Sequence, residues 1–287
     1  MMKGQIIQKT GNSLYSKVLS IAALLFFLPA LVLPVKGQLS AWELPGYKER
    51  VNVFSLGLGK TTERETYLSW STYSGASVSF EEDYWKCYSS GMLFGYGRTH
   101  SSILYAPLKN PLGGGNTHYL SVEYFYSRAW HAVHTESSDL LVGPSAMFKL
   151  GGIYNGANSN NVATGEGYLS IGIYADYAWR FNIWGRPLAF QASLFSPLAG
   201  ISPAPNYDQP YWFVYKYNQY ASLIHFAWVG NFLAVTQQAA IVCPLSKGSL
   251  RVGCTFDYLS NELGGHLTRI SDISFTIGYV YRWVRKD

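Results

Sequence analysis

Apolar and polar side chains alternate with a period of two residues along much of this chain. Successive side chains of a β-strand point to opposite faces of the sheet, so the pattern predicts strands with one apolar and one polar face. The pattern covers residues 118–130, 138–151, 249–260 and 271–284, where the charged residues fall on the polar face. Its clearest example has the apolar positions Leu169, Ile171, Ile173, Ala175, Tyr177, Trp179 and Phe181.

The spacing of these segments predicts an antiparallel up-and-down barrel of twelve strands, with ten or fourteen as the alternatives. A bacterial membrane barrel has an even strand number, short periplasmic turns and longer outer loops. Tight links are expected at residues 182–186, 218–219 and 246–248, and every long link falls outside only if residues 210–217 form a short strand. The strands are predicted at residues 50–60, 76–85, 88–98, 118–130, 138–151, 167–181, 187–197, 210–217, 220–229, 232–243, 249–260 and 271–284.

The composition favours strands that cross a lipid bilayer. Only 14% of the residues are charged, compared with about 25% in an average globular chain. Mean hydropathy is nevertheless near zero, and no apolar stretch after Gln38 reaches the roughly 18 residues that a membrane helix needs. The 23 Tyr and 9 Trp residues suit the aromatic girdles of a membrane barrel. We therefore expect an all-β transmembrane barrel over residues 50–287.

The N-terminus has the pattern of an export signal. Three Lys residues precede an apolar run over residues 18–35, and Gly37 supplies a small residue at the expected cut. We predict a cleaved signal peptide at 1–37 and a periplasmic lead-in at 38–49; an uncleaved anchor helix is the alternative. The leader holds four Lys and no acid, which leaves 18 basic and 17 acidic side chains. Without a basic excess, a nucleic-acid partner is not expected.

The three cysteines leave at least one thiol unpaired within the chain. Cys243 and Cys254 flank a predicted hairpin, and a turn centred on residues 248–249 would place them opposite each other. Two interpretations stay open: a disulfide bond formed during export, or two small side chains that face lipid.

The sequence contains few candidates for chemistry, and we predict no catalytic residue, cofactor or metal. His131 and His134 are three residues apart near a predicted turn, but the zinc-protease spacing of His-Glu-x-x-His is absent. A Ser hydrolase needs a Ser, a His and an orienting acid. His100 lies beside Ser101 and Ser102, but no acid is close in sequence. Ser222 and His225 are a second candidate pair, although alternation places them on opposite faces of their predicted strand. An embedded hydrolase would therefore have to assemble its residues from distant strands.

Two groups of residues are candidates for contact with a solute or ligand. Charges on polar faces would line the lumen, either as a polar path or, as we slightly favour, as ion pairs that plug it. These charges are Asp176, Arg180, Arg251, Asp257, Asp272 and Arg282. Aromatic residues of a predicted outer loop would stack on a sugar-like ligand, although membrane-boundary girdles explain most aromatic residues here. These loop residues are Tyr207, Tyr211 and Trp212.

Several short segments resemble an uncharacterised family of outer-membrane barrels from Bacteroidetes-type bacteria. They are ETYLS at 65–69, YSG at 73–75, YN at 154–155 with NN at 160–161, and FSP at 195–197. The resemblance implies a membrane barrel that is a domain of unknown function, and it implies no catalytic residue.

We therefore expect an exported outer-membrane protein of a Gram-negative bacterium. Its partners would be the lipid bilayer and the outer-membrane assembly machinery, and its small-molecule ligand is unknown. It would act as a narrow pore, a ligand-binding component or a structural component. The alternatives are a barrel-embedded enzyme that hydrolyses lipid or peptide, and a soluble secreted β protein, whose outward face would be richer in Lys and Glu.

Overall fold

The structure is a computed structural model that describes residues 49–88, 95–113, 115–156, 162–206, 209–245 and 248–284. The predicted signal peptide and the lead-in up to residue 48 lie outside the described residues. Within the described part, no helix is long and apolar enough to cross a bilayer. The strands are β1 (Glu49–Glu65), β2 (Tyr73–Tyr88), β3 (Gly95–Lys109), β4 (Asn116–His134), β5 (Ser138–Asn155), β6 (Ala163–Ile183), β7 (Arg186–Pro203), β8 (Ile224–Trp228), β9 (Phe232–Pro244), β10 (Ser249–Asn261) and β11 (Thr268–Val284). One helix, α1 (Tyr211–Lys216), and one 3₁₀ turn (Tyr220–Leu223) precede β8.

The strands form a closed antiparallel ring. Each of β1 to β6 pairs with the next strand, β7 pairs with β9, and β9, β10 and β11 follow in order. The ring closes where β11 pairs with β1 from Glu49↔Val284 to Glu65↔Thr268. The all-β barrel is therefore confirmed. It contains ten strands plus the outside strand β8, which is the lower alternative, and the count of twelve is wrong.

The miscount arises from residues 210–229. The run Tyr211–Lys216 is rich in aromatic residues, which favour strands, yet it forms α1 behind Pro210. Strand preference depends on an available partner, and the free edge of β7 is already taken by β8 and β9. The segment predicted at 220–229 forms only the 3₁₀ turn and the five-residue strand β8.

The pairing of β7 changes partner along its length. Ile201 pairs with Phe226 in β8, whereas Phe195 pairs with Thr236 in β9. The five residues 196–200 of β7 therefore lie beside the nine residues 227–235 of the β8–β9 segment, and the extra residues form a turn that breaks the ladder. The hydroxyl of Ser196 donates to the carbonyl of Ala234 at 3.1 Å and supplies a hydrogen bond across this seam.

Short links at one end of the barrel alternate with long links at the other end, as the even strand number predicts. The connections 184–185 and 245–248 are short, and Trp184 (φ 50°) and Gly185 (φ 75°) both take the left-handed conformation of a two-residue hairpin turn. These links lie at the end of the barrel that also holds Glu49 and Val284, which we call the terminus end. The longer links 66–72, 110–115, 156–162, 204–231 and 262–267 lie at the opposite, loop end. The tight link predicted at 218–219 is wrong, because it lies inside the longest of these connections.

The barrel is apolar outside and polar inside. On β6, Ile171 is 67% exposed, while its neighbour Ser170 on the other face is 4% exposed. The same contrast holds around the ring, so the period-two faces are confirmed. The outward side chains include Leu56, Leu58, Ile103, Val122, Phe148, Ile173, Ile273, Phe275 and Ile277.

Gly143 tests how closely β4 and β5 approach each other. A methyl group at this position would lie 1.8 Å from the carbonyl oxygen of Arg128 and 2.8 Å from Cα of Ala129. We expect Gly143→Ala to lower the free energy of unfolding by about 1–3 kcal/mol, because the backbone of β4 must move. Denaturant unfolding in detergent micelles measures the loss. The matched control is Gly165→Ala, where no described atom lies within 4 Å; an equal effect of both variants would contradict the close approach.

Candidate functional site: the closed lumen and its covered mouth

A buried guanidinium group joins opposite walls of the barrel. Arg98 on β3 donates to Asp83 on β2 from Nη2 (2.6 Å) and Nε (2.9 Å). It also donates to Gln238 on β9 at 2.6 Å and to the hydroxyl of Tyr174 on β6 at 3.1 Å. Asp176 lies 3.8 Å from the same guanidinium group. Since β3 and β9 stand across the ring from each other, this group, which we call the Arg98 cluster, crosses the lumen.

Aromatic rings fill the space around the Arg98 cluster. The guanidinium carbon lies 4.9 Å from the ring centre of Trp85, which is the range of a cation–π contact. Phe125 stacks on Phe195 with 5.0 Å between ring centres, and both side chains are at most 2% exposed. Rings and ion pairs therefore occupy much of the barrel interior at this level.

A second buried chain of hydrogen bonds extends the cluster towards β10. The amide nitrogen of Gln238 donates to Glu81 at 3.0 Å, and the hydroxyl of Thr255 donates to the same carboxylate at 3.3 Å. Arg251 donates to the amide oxygen of Gln238 at 3.3 Å. A single glutamine thus connects the two arginines and bonds to Glu81, so its removal would take a hydrogen-bond partner from each of these three buried groups.

The remaining interior space is small. One cavity, lined in part by Glu81, His100, Glu123 and Asp257, has a volume of about 30 Å³. That is room for one or two water molecules. Beside it, the ammonium group of Lys149 lies 3.2 Å from Glu123. This cavity is therefore too small for an organic solute.

The predicted lumen residues face the interior wherever their side chains are described. Asp176, Arg180, Arg251 and Asp272 are all buried, and Asp257 lines the cavity. Asp272 accepts hydrogen bonds from Thr61 (2.6 Å), Ser77 (2.5 Å) and Ser274. The side chain of Arg282 lies outside the described residues. Several of these interior groups therefore bond to one another, while Nη1 of Arg251 and Oδ1 of Asp257 have no hydrogen-bond partner among the described residues.

Sequence reasoning missed Arg98, Asp83 and Gln238, which form the centre of the buried cluster. The segment Glu81-Glu82-Asp83 places charges on both faces, so the alternation there is obscured. Arg98 fell at the end of a strand predicted at 88–98, whereas β3 begins at Gly95 and continues to Lys109. With β3 placed correctly, the alternation of Arg98, His100 and Ser102 on one face would have been the signal.

A long connection covers the loop end of the barrel. This cap, residues 204–206 and 209–231, packs against neighbouring loops through Tyr67, whose ring lies 5.8 Å from Tyr211 and 5.6 Å from His266. The hydroxyl of Tyr211 is 3.1 Å from that of Thr164, and it accepts from the backbone N–H of Gly165 at 3.2 Å. Burial raises the pKa of Tyr67 to about 12. The mouth is therefore closed by a packed, hydrogen-bonded segment.

The three predicted outer-loop contacts have different environments. Tyr211 holds the cap onto β6, and Trp212 is 59% exposed on the outer side of the cap. Tyr207 lies outside the described residues. A ligand that approaches from the loop end would meet Trp212, and Tyr211 contributes through the position of the cap.

Carboxylates lie beneath the cap. Glu63 accepts a hydrogen bond from Thr117 at 3.1 Å, and Glu65 accepts from the backbone of Tyr67 at 3.0 Å. Both carboxylate oxygens of Glu166 are buried and find no partner among the residues described. Across the described chain, nine Asp and Glu are buried against three Arg, so buried carboxyl groups outnumber buried guanidinium groups.

The His and Ser pairs considered for hydrolysis do not assemble. Nδ1 of His100 lies 2.9 Å from Asp83, which supplies the acid that the sequence lacked nearby. No contact between His100 and a Ser hydroxyl is present in the described part of the chain, and the ring instead stacks on Phe125 at 4.8 Å. His225 bonds to the carbonyl of Ala204 at 3.0 Å, away from Ser222.

The register of the β9–β10 hairpin separates the two cysteines that could form a disulfide. Cys243 lies opposite Leu250, and Cys254 lies opposite Ala239. The turn is not centred on residues 248–249, because Ser249 already pairs with Pro244. The thiols are free, as is Cys87 on β2.

Removal of Arg98 tests the cluster that closes the lumen. We expect Arg98→Ala to lower the free energy of unfolding by about 3–5 kcal/mol, because it leaves Asp83 charged, buried and without its main partner. The double variant Arg98→Met with Asp83→Asn removes both charges and should lose clearly less. Guanidinium unfolding in detergent micelles, followed by tryptophan fluorescence, compares them; equal losses would show that the ion pair does not hold the cluster together.

The cap should loosen in acid through His266. Burial lowers the pKa of this ring, the nearby His225 adds to the effect, and a backbone hydrogen bond at Gly264 opposes it. Because the folded cap prefers the neutral ring, His266 stabilises the cap at a pH above the ordinary histidine pKa of about 6.5. This stabilisation is lost as the pH falls below that value. Amide exchange of the cap, corrected for intrinsic rates, should increase between about pH 8 and about pH 5.

A matched pair of variants checks the assignment to His266. His266→Gln should remove the pH dependence of cap exchange, whereas His118→Gln, on β4, should retain it. An unchanged response in His266→Gln would assign the acid sensitivity to another group.

Comparisons with known proteins place the chain within a family and show only distant similarity to solved structures. The translocator domain of autotransporter NalP from Neisseria meningitidis is 10% identical with a TM-score of 0.37, covering 83% of this chain and 89% of that one. The transport unit of autotransporter AIDA-I from Escherichia coli is 6% identical with a TM-score of 0.39, covering 95% and 97%. These likenesses carry no argument about function, and the barrel rests on its own strand pairing.

No curated protein matches the chain. The family described as "Protein of unknown function (DUF3316)" matches residues 23–286. The segments quoted from the sequence had indicated a family without an assigned function, and this match confirms that part of the resemblance. The chain belongs to the DUF3316 family.

Proposed function

We propose that this protein is an outer-membrane β-barrel of a Gram-negative bacterium whose lumen is closed to solutes, and that it acts as a binding or structural component. The observation that carries the proposal is the Arg98 cluster, which joins β2, β3, β6 and β9 across the lumen. A pore needs a continuous water-filled path, and the cavity beside the cluster has a volume of only about 30 Å³.

The outer surface supports insertion into a membrane. Large apolar side chains such as Leu58 (69% exposed) and Ile273 (62% exposed) point away from the barrel. In water, a surface of this kind would cause aggregation. In lipid, the same apolar side chains contact hydrocarbon, and no apolar surface is exposed to water. A closed ring also pairs the backbone groups that lipid cannot satisfy. These two features favour the membrane barrel over a soluble secreted protein.

The two ends of the barrel suggest its orientation. The short links and both described chain ends lie at the terminus end, which we assign to the periplasm, because membrane barrels carry short turns there. The predicted signal peptide would deliver the chain to the assembly machinery on that side. The cap then faces outwards, and its exposed Trp212 and Tyr215 are the surface that we assign to ligand contact.

An enzymatic role has less support than a binding role. An embedded hydrolase needs a Ser within reach of a His and an acid. In the described residues, Asp83 and His100 form two parts of such a relay, but the adjacent cavity is too small for a lipid or a peptide. We therefore assign Asp83 and His100 to the plug.

The purified full chain should show no ion conductance in planar bilayers, because the rings and ion pairs block the lumen. Ion conductance should arise when Phe125→Ala and Phe195→Ala are combined, since the two stacked rings then leave an open space beside Arg98. The acidic interior predicts that this current is carried mainly by cations. The matched control is Phe148→Ala, which removes a phenyl ring from the outward face. This variant should show no ion conductance.

Two results would overturn the proposal. Steady conductance steps from the unmodified chain would show an open lumen. Recovery of the exported protein in the aqueous fraction, without detergent, would exclude the membrane barrel itself.

A further inference from the structure

We propose that His131, His134 and Asp139 form a binding site for a transition-metal ion of the zinc class. The three side chains lie at the terminus end of the lumen, on β4 and β5. Their ligand atoms all lie within 4.8 Å of one another. Imidazole nitrogen and carboxylate oxygen are ligands that zinc and its neighbours prefer. The site is independent of the Arg98 cluster and of the proposed function.

A β-bulge brings the two histidines together. Residues three apart in a regular strand point to opposite faces, so His131 and His134 would be separated by the sheet. The pairing of β4 with β5 shifts between His131 and Val133. A bulge of this kind inserts one residue and redirects the side chains that follow. His131 then lies opposite Leu141 and His134 lies opposite Asp139, on the face where Asp139 and Leu141 are buried.

The distances suit a three-ligand site after small side-chain rotations. Oδ1 of Asp139 is 2.5 Å from Nδ1 of His134 and 3.6 Å from Nδ1 of His131. Metal–ligand lengths of about 2.0–2.1 Å place tetrahedral donors about 3.4 Å apart. A proton between Asp139 and His134 would satisfy only one of the two rings that point at this oxygen, whereas a metal ion would bind both rings and the carboxylate.

Neighbouring side chains orient the ligands from behind. The hydroxyl of Tyr96 lies 3.1 Å from Nε2 of His131 and leaves Nδ1 for the ion. Arg180 pairs with the other oxygen, Oδ2, of Asp139. Groups that hold the far side of a ligand in this way are typical of metal sites. Because the His134 side chain is 69% exposed, an ion can enter from solvent, and water would complete its coordination.

Binding of Co²⁺ and Zn²⁺ to the purified full chain in detergent tests the site. After the chain has been treated with a chelator, it should bind one Co²⁺ ion and give visible d–d absorption bands. Added Zn²⁺ should displace the Co²⁺ and remove these bands. We expect His134→Ala to weaken Zn²⁺ binding at least tenfold in calorimetry and to abolish the bands. His134 is exposed, so this variant should keep the fold; an unchanged unfolding midpoint confirms that it does.

Two controls make the assignment specific. His118→Ala removes an exposed histidine at the loop end of the same strand, where it bonds only to Tyr105 at 2.9 Å, and should bind like the unmodified chain. Cys87→Ser should also retain binding, although Cys87 lies opposite Tyr96 in the register and close to the site. Equal affinity in the unmodified chain and His134→Ala, loss of binding in Cys87→Ser, or absence of a one-to-one cobalt complex would each refute the site.

Discussion

The closed ladder between β1 and β11 is the constraint on which the rest of the structure depends. In lipid, an unpaired backbone N–H or C=O group has no water to bond with, so a barrel with an apolar outside must have no free edge. The seventeen-residue strand β1 meets β11 along its whole length. This closure converts an alternating chain into a tube and forces every polar face inwards, where the charges must then satisfy one another.

The interior meets that demand with residues from strands that are distant in sequence. Arg98 donates hydrogen bonds to Asp83, Tyr174 and Gln238. Asp272 accepts hydrogen bonds from three hydroxyl groups, on β1, on β2 and on its own strand. A charge left alone here would be costly, because the interior excludes water. The side chains that bond to one another in the Arg98 cluster also occupy space inside the barrel, so the same residues pair these charges and fill this part of the lumen.

Irregularities in the ladder are where the barrel acquires its particular features. The change of partner along β7 releases the cap from the ring, and Tyr211 of the cap packs against Tyr67 at the loop end. The bulge in β4 turns His134 towards Asp139. In a regular strand that ring would lie on the outward, apolar face. Both irregularities lie near strand ends, where a broken hydrogen bond can be replaced by a side chain or by water.

The sequence by itself determined the strand architecture, the inward and outward faces, and the inward position of Asp176, Arg251 and Asp272, because successive side chains of a strand alternate whatever its partner. The strand number, the helical form of Tyr211–Lys216 and the separation of Cys243 from Cys254 were decided by the tertiary structure. These depend on register, and register is set by contacts between strands far apart along the chain. For the same reason, only the folded ring shows that Arg98 meets Gln238, and only the bulge shows that His131 and His134 share a face.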